Sequence, residues 1–506
     1  MKKLITFSAF SALFASTLLG ADNYLIGTKI SGAPAEGTDT NWTNPRKATD
    51  DLFFDGSMAS GTGAWDIQCW IYPGYTKPAL TSTPEDYYTA NSLTIQNLYK
   101  ENDDGSKSSR ITTFQSPNPG YSSPYGLVIT NDLNFVTGSY TPKFIFKSRN
   151  TTNSRLYMTI NGNLNVGSTE TKADHNGYLS FGGYQNGTTV EEVIVGGNVN
   201  LYGTAELQLS VGNLANELKF GNPNFKASGS LNMYSADGKT PTLIVNALSS
   251  DNLGTGQGLN STIDFAGING VGTIKTAGGT TAFKSDTYVV SRIASGATAE
   301  FSGTIIDGKA GKTSVIHIGM FGYGKQILRG EIDILGDIRS GRGELHANVK
   351  NAGVLYLGHG SDISRFGAIG LDSDFGTVNL TGMNLQQSHN TILYDIDGAN
   401  QDFINVAGTL NLNNKQYLYI EFTSLANIEQ DAEYKLLSYE TLKNGDESVF
   451  HASFLEGYNG ELFLRDNALW VKFTEVLPMA SVPEPAEWAM LLGGLALGLA
   501  IYRRRK

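Results

Sequence analysis

The chain has 506 residues, a formal net charge of −11 and a charged fraction of only 17%. Setting aside the two lysines at the N-terminus and the net positive charge of the last 26 residues leaves about −15 on the body of the chain, which argues against nucleic acid as a partner. A hydrophobic fraction of 40% is too high for a disordered polymer, and 59 glycines predict many turns. The composition therefore predicts a folded, turn-rich protein with a largely uncharged polar surface.

The N-terminus has the layout of a secretory signal peptide. Lys2 and Lys3 precede a continuous apolar stretch, and the small residues Gly20 and Ala21 follow it. Cleavage is predicted after Ala21. Residues 1–21 are therefore assigned as a signal peptide, and the mature body begins at the next residue.

One cysteine and three tryptophans stand out in the first quarter of the chain. Cys69 is the only cysteine, so no intramolecular disulfide can form, and a buried structural thiol is favoured over a crosslink between copies. Trp42, Trp65 and Trp70 could stack on sugars, but packing in the core or in a cap is favoured. Residues 22–125 are predicted to form an N-terminal cap and the first coils of the body.

One seven-residue phrase recurs along the chain. It reads ITNDLNF, INGNLNV, VGGNVNL, ASGSLNM and VAGTLNL. The sixth position of the phrase is always an asparagine: Asn134, Asn165, Asn200, Asn232 and Asn411. The first four copies are 31, 35 and 32 residues apart, which indicates a repeat architecture. Apolar and polar residues alternate within each copy, as expected of half-buried strands.

This repeat predicts an all-β protein, in the form of a right-handed parallel β-helix (β-solenoid) over residues 126–390. With about 25 residues per coil and ~4.8 Å between coils, the body would hold about eighteen coils in a rod about 85 Å long. The recurring asparagine has two interpretations. Its amides could bond one another from coil to coil as a ladder, or each side chain could face solvent beside a turn, and the solvent-facing interpretation is favoured.

Few patterns in the chain could carry catalysis or bind a metal. The six histidines are scattered without an HExxH motif, a paired metal spacing or a nearby cysteine, and no nucleophile elbow, Walker loop or dinucleotide fingerprint is present. In the segment ELHANV, alternation places His346 on the polar face, so a solvated side chain is predicted. No catalytic residue, metal ligand or cofactor is predicted.

Two acidic clusters are the exceptions that a structure can test. Asp372 and Asp374 would lie about 7 Å apart on one strand face, which suits an inverting glycosidase, but the flanking glycines favour a turn. Asp395, Asp397 and Asp402 lie around a glycine, as in a calcium loop. A plain acidic turn is favoured there, because a calcium loop carries more oxygen ligands.

Residues 481–506 form a tail with three parts. Pro483, Glu484 and Pro485 are predicted to be extended, because each proline restricts its own φ and the residue before it. An uncharged apolar run follows, which reaches about 22 Å as a helix. The tail ends in a membrane stop of four cations, Arg503, Arg504, Arg505 and Lys506. By the positive-inside rule these cations stay cytoplasmic, so the body lies outside the inner membrane.

This tail resembles the PEP-CTERM sorting tail, which is recognised in Gram-negative bacteria by membrane proteases called exosortases. The resemblance implies that Pro483, Glu484 and Pro485 are recognition residues and that an exosortase-type protease is a partner. It implies that the apolar helix holds the chain only transiently in the inner membrane. It also links the chain to bacteria that make exopolysaccharide.

Two further segments resemble parts of known surface proteins. Residues 301–308 and 322–349 are similar to the autotransporter-associated β-strand repeat, whose passenger domains are parallel β-helices. Residues 391–480 resemble the terminal β module that often precedes a PEP-CTERM tail, which implies that this module caps the rod.

These expectations combine into one functional hypothesis. The chain is expected to be an exported, non-enzymatic structural or adhesion protein of the cell surface or extracellular matrix, linked to exopolysaccharide or biofilm. Two alternatives stay open: a secreted polysaccharide lyase or glycosidase on the same β-helix, and a carbohydrate-binding surface protein. Polysaccharide degradation would favour the first, and saturable glycan binding through the three tryptophans would favour the second.

Overall fold

The fold was analysed in a computed structural model. The residues that it describes are 22–24, 51–55, 68–70, 88–96, 99–101, 107–109, 111–115, 125–136, 143–147, 156–167, 177–182, 190–211, 223–245, 261–276, 285–307, 314–358, 364–386, 389–413 and 417–476.

Strands make up nearly all of the regular structure in these ranges, which confirms the all-β class. In chain order they are β1 (Asp22–Tyr24), β2 (Asp51–Asp55), β3 (Gln68–Trp70), β4 (Tyr88–Ala90), β5 (Ser92–Gln96), β6 (Tyr99–Glu101), β7 (Lys107–Ser109), β8 (Ile111–Gln115), β9 (Tyr125–Ile129), β10 (Leu133–Phe135), β11 (Lys143–Lys147), β12 (Leu156–Ile160), β13 (Leu164–Val166), β14 (Tyr178–Phe181), β15 (Val190–Val195), β16 (Val199–Tyr202), β17 (Glu206–Leu209), β18 (Phe225–Ala227), β19 (Leu231–Tyr234), β20 (Thr242–Val245), β21 (Ser261–Phe265), β22 (Ile268–Gly270), β23 (Thr273–Thr276), β24 (Ser285–Ser291), β25 (Thr298–Phe301), β26 (Thr304–Ile306), β27 (Ser314–Met320), β28 (Lys325–Asp333), β29 (Ile338–Ser340), β30 (Gly343–Leu357), β31 (Ser364–Ala368), β32 (Thr377–Leu385), β33 (His389–Asp397), β34 (Asn400–Gln401), β35 (Phe403–Asn411), β36 (Tyr417–Ala426), β37 (Glu433–Lys443), β38 (Phe450–Ser453), β39 (Tyr458–Arg465) and β40 (Ala468–Val476). One 3-10 helix, Glu447–Val449, lies just before β38.

Most strands pair in parallel with a strand one coil away, and the pairs build three stacks. Stack I contains β1, β2, β5, β10, β13, β16, β19, β22, β25, β28, β30, β31, β33, β36 and β38. Stack II contains β3, β8, β11, β14, β17, β20, β23, β26 and later parts of β28, β30, β32, β35 and β37. Stack III contains β4, β9, β12, β15, β18, β21, β24, β27, β29 and the ends of β30, β32, β35 and β37.

The chain therefore visits stacks III, I and II in turn and then begins the next coil, which is the topology of a parallel β-solenoid. Thirty-eight strands join into one sheet by hydrogen bonds. Only β6 and β7 form a separate antiparallel pair among the described strands. Strand edges are therefore satisfied along the whole rod, because each strand is sandwiched between its neighbours in the stack.

The interior of the solenoid is filled by the apolar member of each alternating pair. In β13, Leu164 and Val166 are fully buried and stand one coil above Leu133 and Phe135, which are also fully buried. Aromatic rings stack in the same way in stack II, where Phe146 lies 5.3 Å from the ring of the next coil with nearly parallel planes. Each such side chain contributes about 1.5–3 kcal/mol by leaving water, so stability is spread evenly along the rod.

The corners between stacks III and I are held by side-chain oxygens that bond the backbone of the next coil. The Asp132 carboxylate accepts from the Asn163 N–H at 2.6 Å, Asn163 Oδ1 accepts from the Asn198 N–H at 2.9 Å, and Asn198 Oδ1 accepts from the Ser230 N–H at 2.9 Å. Gly196 occupies one of these corners because a Cβ there would collide with the carbonyl of the residue one coil below. Coil spacing at the corners is therefore as close as in the strands.

The coils are fewer in the described residues, and more variable in length, than the sequence predicts. Stack I has fifteen strands, and fourteen steps of ~4.8 Å give a length of about 67 Å, against the eighteen coils and 85 Å expected. Asn200 and Asn232 are aligned neighbours 32 residues apart, whereas Ala347 and Ala368 are aligned neighbours only 21 apart. The shorter coils have less chain between their strands, and their pairings contain register shifts such as the one between Leu328 and Glu331.

Parallel pairing continues into the segment that the sequence analysis assigns to a C-terminal module, residues 391–480, of which the structure describes residues up to 476. Strands β33, β36 and β38 extend stack I, and β35 and β37 extend the other two. The rod then ends in antiparallel strands, because β40 pairs with both β37 and β39. Phe473 of β40 packs edge-on against Tyr434 and Phe454, so an aromatic cluster covers this end of the core.

The fifth copy of the repeated phrase lies at a different corner from the first four. In the first four copies the phrase passes from stack III into stack I, as Ile160 and Leu164 do. In the fifth copy Val406 belongs to stack II and Leu410 to stack III. Asn411 therefore lies outside the column of the other four asparagines, because the same local phrase turns a different corner of the coil here.

Candidate functional site

The outward face of stack I is the most regular polar surface of the described residues. From β5 to β22 its outward side chains along the strands are all uncharged, and five of them are asparagines: Asn134, Asn165, Asn200, Asn232 and Asn269. We call this region the amide strip. From β25 onward, the outward positions carry charges instead, so the face changes character part-way along the rod.

The asparagines of the amide strip form a continuous ladder. Each Nδ2 donates to the Oδ1 of the coil before it, at 2.8 Å from Asn165, 2.8 Å from Asn200, 2.9 Å from Asn232 and 3.1 Å from Asn269. The last Oδ1 accepts from the Glu300 N–H at 3.1 Å. The solvent-facing interpretation favoured from the sequence is wrong, because half-burial between flanking side chains makes an amide partner better than water.

Two tyrosines flank the ladder on its C-terminal side. Tyr202 and Tyr234 follow Asn200 and Asn232 by two residues, so they share the outward face, and their rings stack at 4.8 Å with a 9° angle. Burial, with the neighbouring Tyr234 adding to it, raises the pKa of Tyr202. Tyr234 is 48% exposed. Stacking covers one face of each ring, and the exposed Tyr234 still presents part of its ring to solvent.

The charged part of stack I is a chain of ion pairs centred on Glu344. Its carboxylate lies 2.8 Å from Lys325 Nζ, 2.7 Å from His346 Nε2 and 3.4 Å from Arg365 Nε, and Arg365 reaches on to Glu421 at 2.7 Å. The hydrogen bond from His346 is the main reason that the pKa of Glu344 falls to about 2. These contacts extend from β28 to β36, which is four coil steps, so the charges link successive coils.

His346 lies on the face predicted from the sequence, but its exposure to solvent differs from the prediction. It does lie on the outward face beside Glu344. Its side chain is only 12% exposed, however, so the prediction of a solvated histidine is wrong. The carboxylate bond and the adjacent coil shield the ring from water.

A second polar cluster lies on the outward side of stack III. The ring of His317 stacks on Tyr288 at 4.4 Å, and its Nδ1 accepts from the Asp337 N–H at 2.9 Å. Burial opposes the charged ring, but the hydrogen bonds and charges of Asp286 and Asp337 outweigh it and raise the pKa of His317. Burial also raises the pKa of Tyr288 to about 12. The Arg339 guanidinium lies over the tyrosine ring at 5.2 Å, while Asp286 and Asp337 at the edge of the cluster stay 32% and 23% exposed.

Asp402 is the most perturbed carboxyl group in the described residues. It is 2% exposed, and its two oxygens accept from the Gly376 and Asp395 N–H groups, both at 2.9 Å. Burial is the largest influence and raises the pKa of Asp402 to about 8, with the Asp374 and Asp395 charges acting in the same direction. The buried carboxyl group of Asp402 therefore links the backbone at Gly376 to the backbone at Asp395.

The acidic turn considered for calcium uses its carboxylates within the protein. Asp395 accepts from the Thr423 hydroxyl and Asp397 accepts from the Asn427 amide, one coil further on. Gly398 has a φ of 56°, so it supplies the left-handed residue of the β33–β34 hairpin. Within the described ranges no group of three or more His, Cys, Asp or Glu residues has the geometry to hold a metal ion.

Asp372 and Asp374 do not share a strand face. Both lie in the turn between β31 and β32, where Gly370 bonds the Ser373 carbonyl across the turn. Asp374 is 77% exposed and lies 3.4 Å from Arg329. The turn interpretation is confirmed, and the separation calculated for a catalytic pair does not apply.

Sequence analysis missed two further amide ladders. In stack II, Asn405 donates to Asn379 at 3.2 Å and accepts from the Ser438 hydroxyl at 2.8 Å. In stack III, Asn411 donates to Asn384 at 3.2 Å and accepts from Asn444 at 2.8 Å. The one signal that could have found them is an outward asparagine directly before a buried leucine or valine, repeated at coil spacing.

The residues predicted for sorting lie outside the described part of the chain. These are Pro483, Glu484, Pro485, Arg503, Arg504, Arg505 and Lys506, together with residues 1–21 and the tryptophans Trp42 and Trp65. Cys69 and Trp70 belong to β3, whose backbone alone is described. In the residues that are described, no helix is long and apolar enough to cross a membrane.

No family model matches the chain. A search of curated proteins also finds no match.

Proposed function

We propose that this chain is an exported, non-enzymatic structural or adhesion protein of the cell surface or extracellular matrix. The observation that carries the proposal is the unbroken parallel stack from β1 to β38, which makes the body one rod with a closed core. Such a rod gives reach and a long polar surface, as repeat proteins do. A right-handed coil, the signal peptide and the C-terminal membrane helix belong to the same proposal.

The sorting tail supplies the placement in this proposal. An exosortase-type protease recognises Pro483, Glu484 and Pro485, while the apolar helix and its four cations hold the chain transiently in the inner membrane. Processing then leaves the rod at the surface or in the matrix, where exopolysaccharide is the expected neighbour. The proposed partners are therefore the exosortase-type protease, the inner membrane during transient anchoring, and exopolysaccharide.

A non-enzymatic role is supported by how the perturbed side chains are engaged. Glu344 is held by three cations or donors, and Asp402 is held by two backbone N–H groups. His317 has Nδ1 occupied by a backbone donor. A general acid or base needs a free path to its substrate, and these contacts block that path.

The test is the mass of the mature protein in its native host. Loss of both ends, near Ala21 and near Pro483, is expected in the host but not in a strain that lacks exosortases. Replacing Pro483 and Pro485 with alanine should leave the C-terminus intact, whereas Pro478→Ala, a proline just outside the motif, should be processed normally. Normal processing of the double variant would refute the sorting role.

A further inference from the structure

The amide strip has hydrogen-bonding capacity that the ladder does not use. Each asparagine amide carries two N–H donors and an oxygen with two lone pairs. The ladder uses one donor and one lone pair of Asn165, Asn200 and Asn232. One N–H and one lone pair per coil take no part in the ladder, on half-buried outward side chains at a repeat of ~4.8 Å.

The strip is also uncharged, while the chain around it is acidic. No outward strand residue of stack I between β5 and β22 is charged, and the Tyr202 and Tyr234 hydroxyls extend its polar edge. A polyanion gains nothing from such a surface, since phosphate or carboxylate recognition needs cations. A charged lipid surface is disfavoured for the same reason.

The size of the strip decides between a folded partner and a polymer. Six strands and five steps of ~4.8 Å give about 24 Å, and three residues along each strand give about 10 Å, so the area is roughly 240 Å². A stable protein interface needs about 800 Å² per partner. The strip is therefore too small to bind a second copy of this chain or another folded protein stably. An extended polymer, in contrast, can repeat a weak contact many times.

We propose that the amide strip binds an uncharged, polyhydroxylated polymer, a neutral polysaccharide, that lies along the axis of the solenoid. Each sugar hydroxyl can accept from the spare N–H and donate to the spare lone pair of one coil. The tyrosine hydroxyls at Tyr202 and Tyr234 bound the strip on one side. This inference rests on the proposed function, because only an exported chain meets such polymers.

The test uses the full chain in native affinity electrophoresis with hydroxyethyl cellulose as the neutral polymer. Polygalacturonate serves as the acidic comparison. We expect the neutral polymer to retard the protein and the acidic polymer to leave its mobility unchanged. Equal retardation by both polymers, or by neither, would overturn the proposal.

The variant pair Asn200→Thr and Asn232→Thr removes two amides from the strip. A matched control, Asn384→Thr with Asn411→Thr, removes two amides from the stack III ladder, which is equally structural. We expect the first pair to raise the dissociation constant about tenfold and the control to leave it unchanged, since two hydrogen-bonding groups of ~0.7 kcal/mol each correspond to that factor. The same loss in both would mark a structural effect and overturn the proposal.

A further variant keeps the ladder intact. Tyr234→Phe removes one hydroxyl from the edge of the strip and keeps the stacked ring, at a residue that is already 48% exposed. Weaker retardation by the neutral polymer, with an unchanged melting temperature, is the expected result, and unchanged binding would overturn the proposal. Processing at Pro483 is independent of all these variants, so failure of the polymer test leaves the sorting test standing.

Discussion

Replacing Asn200 with alanine should weaken the solenoid locally and by a calculable amount. Its amide donates to Asn165 at 2.8 Å and accepts from Asn232 at 2.9 Å, so the substitution removes two half-buried hydrogen bonds. At about 1 kcal/mol for each, the cost is about 2 kcal/mol. Removing Asn134 instead costs about half as much, because a single ladder bond in the described structure depends on it.

Hydrogen exchange measured residue by residue is the assay of choice. In a repeat protein each coil contacts only its neighbours, so the loss should stay within the coils next to the substitution. Protection of the amides in β13, β16 and β19 should fall about 30-fold for Asn200→Ala, the factor equivalent to ~2 kcal/mol. For Asn134→Ala the affected amides should be those of β5, β10 and β13, with a fall of about fivefold, the factor equivalent to ~1 kcal/mol. Amides in β35 and β37 should keep their protection in both variants.

Two outcomes would refute this reasoning. If protection in β16 of Asn200→Ala falls no more than protection in β10 of Asn134→Ala, water replaces the lost amide partners at no cost, and the ladder does not stabilise the rod. If protection falls equally from β13 to β37, the solenoid unfolds as one unit, and the additive treatment of its coils is wrong.

Three further predictions concern single side chains. Burial raises the folded-state pKa of Asp402 from 3.8 to about 8, so folding is favoured at low pH, where the carboxyl group is neutral. The melting temperature of the wild type should therefore fall between pH 4 and pH 8 relative to that of Asp402→Asn, and parallel curves for the two proteins would contradict this. The pH dependence due to Glu344 has the opposite sign, because folding lowers its pKa from 4.5 to about 2. Its contribution to stability is complete above pH 4.5 and is lost as the pH falls towards 2. In melting curves measured over this pH range, Glu344→Gln should remove that acid-dependent step. Gly196→Ala should lower the free energy of unfolding in urea by about 2 kcal/mol, because the new Cβ meets a backbone carbonyl. Gly382→Ala should cost less, because its Cβ comes no closer than 3.3 Å to the side chain of a valine. Equal urea midpoints for the two variants would show that the corner at Gly196 can relax.

The strands of the repeat could be predicted from local sequence because their signal is local. In β13 and β16 the buried residues flank one polar residue, and this alternation alone indicates a half-buried strand. The spacing of the copies then indicated stacked coils. Both inferences needed only neighbouring residues and a count.

The partners of the polar residues could not be predicted in the same way. Asn165 and Asn200 are 35 residues apart, and whether their amides meet depends on the exact register of two coils. His346 illustrates the same point, since its place on the polar face followed from alternation but its shielding by Glu344 and the next coil did not.

Sequence alone determined the class of the body, the period of its coils and the order of groups in the tail, because strand alternation, repeat spacing and the Pro-Glu-Pro, apolar and basic succession are all written along the backbone. Tertiary structure alone decided which asparagines form ladders, that Asn411 turns a different corner, and that Asp402 is enclosed while Asp374 is exposed. The physical reason is that burial and hydrogen bonding in a solenoid are set between coils, so residues about thirty positions apart in the chain determine one another's surroundings.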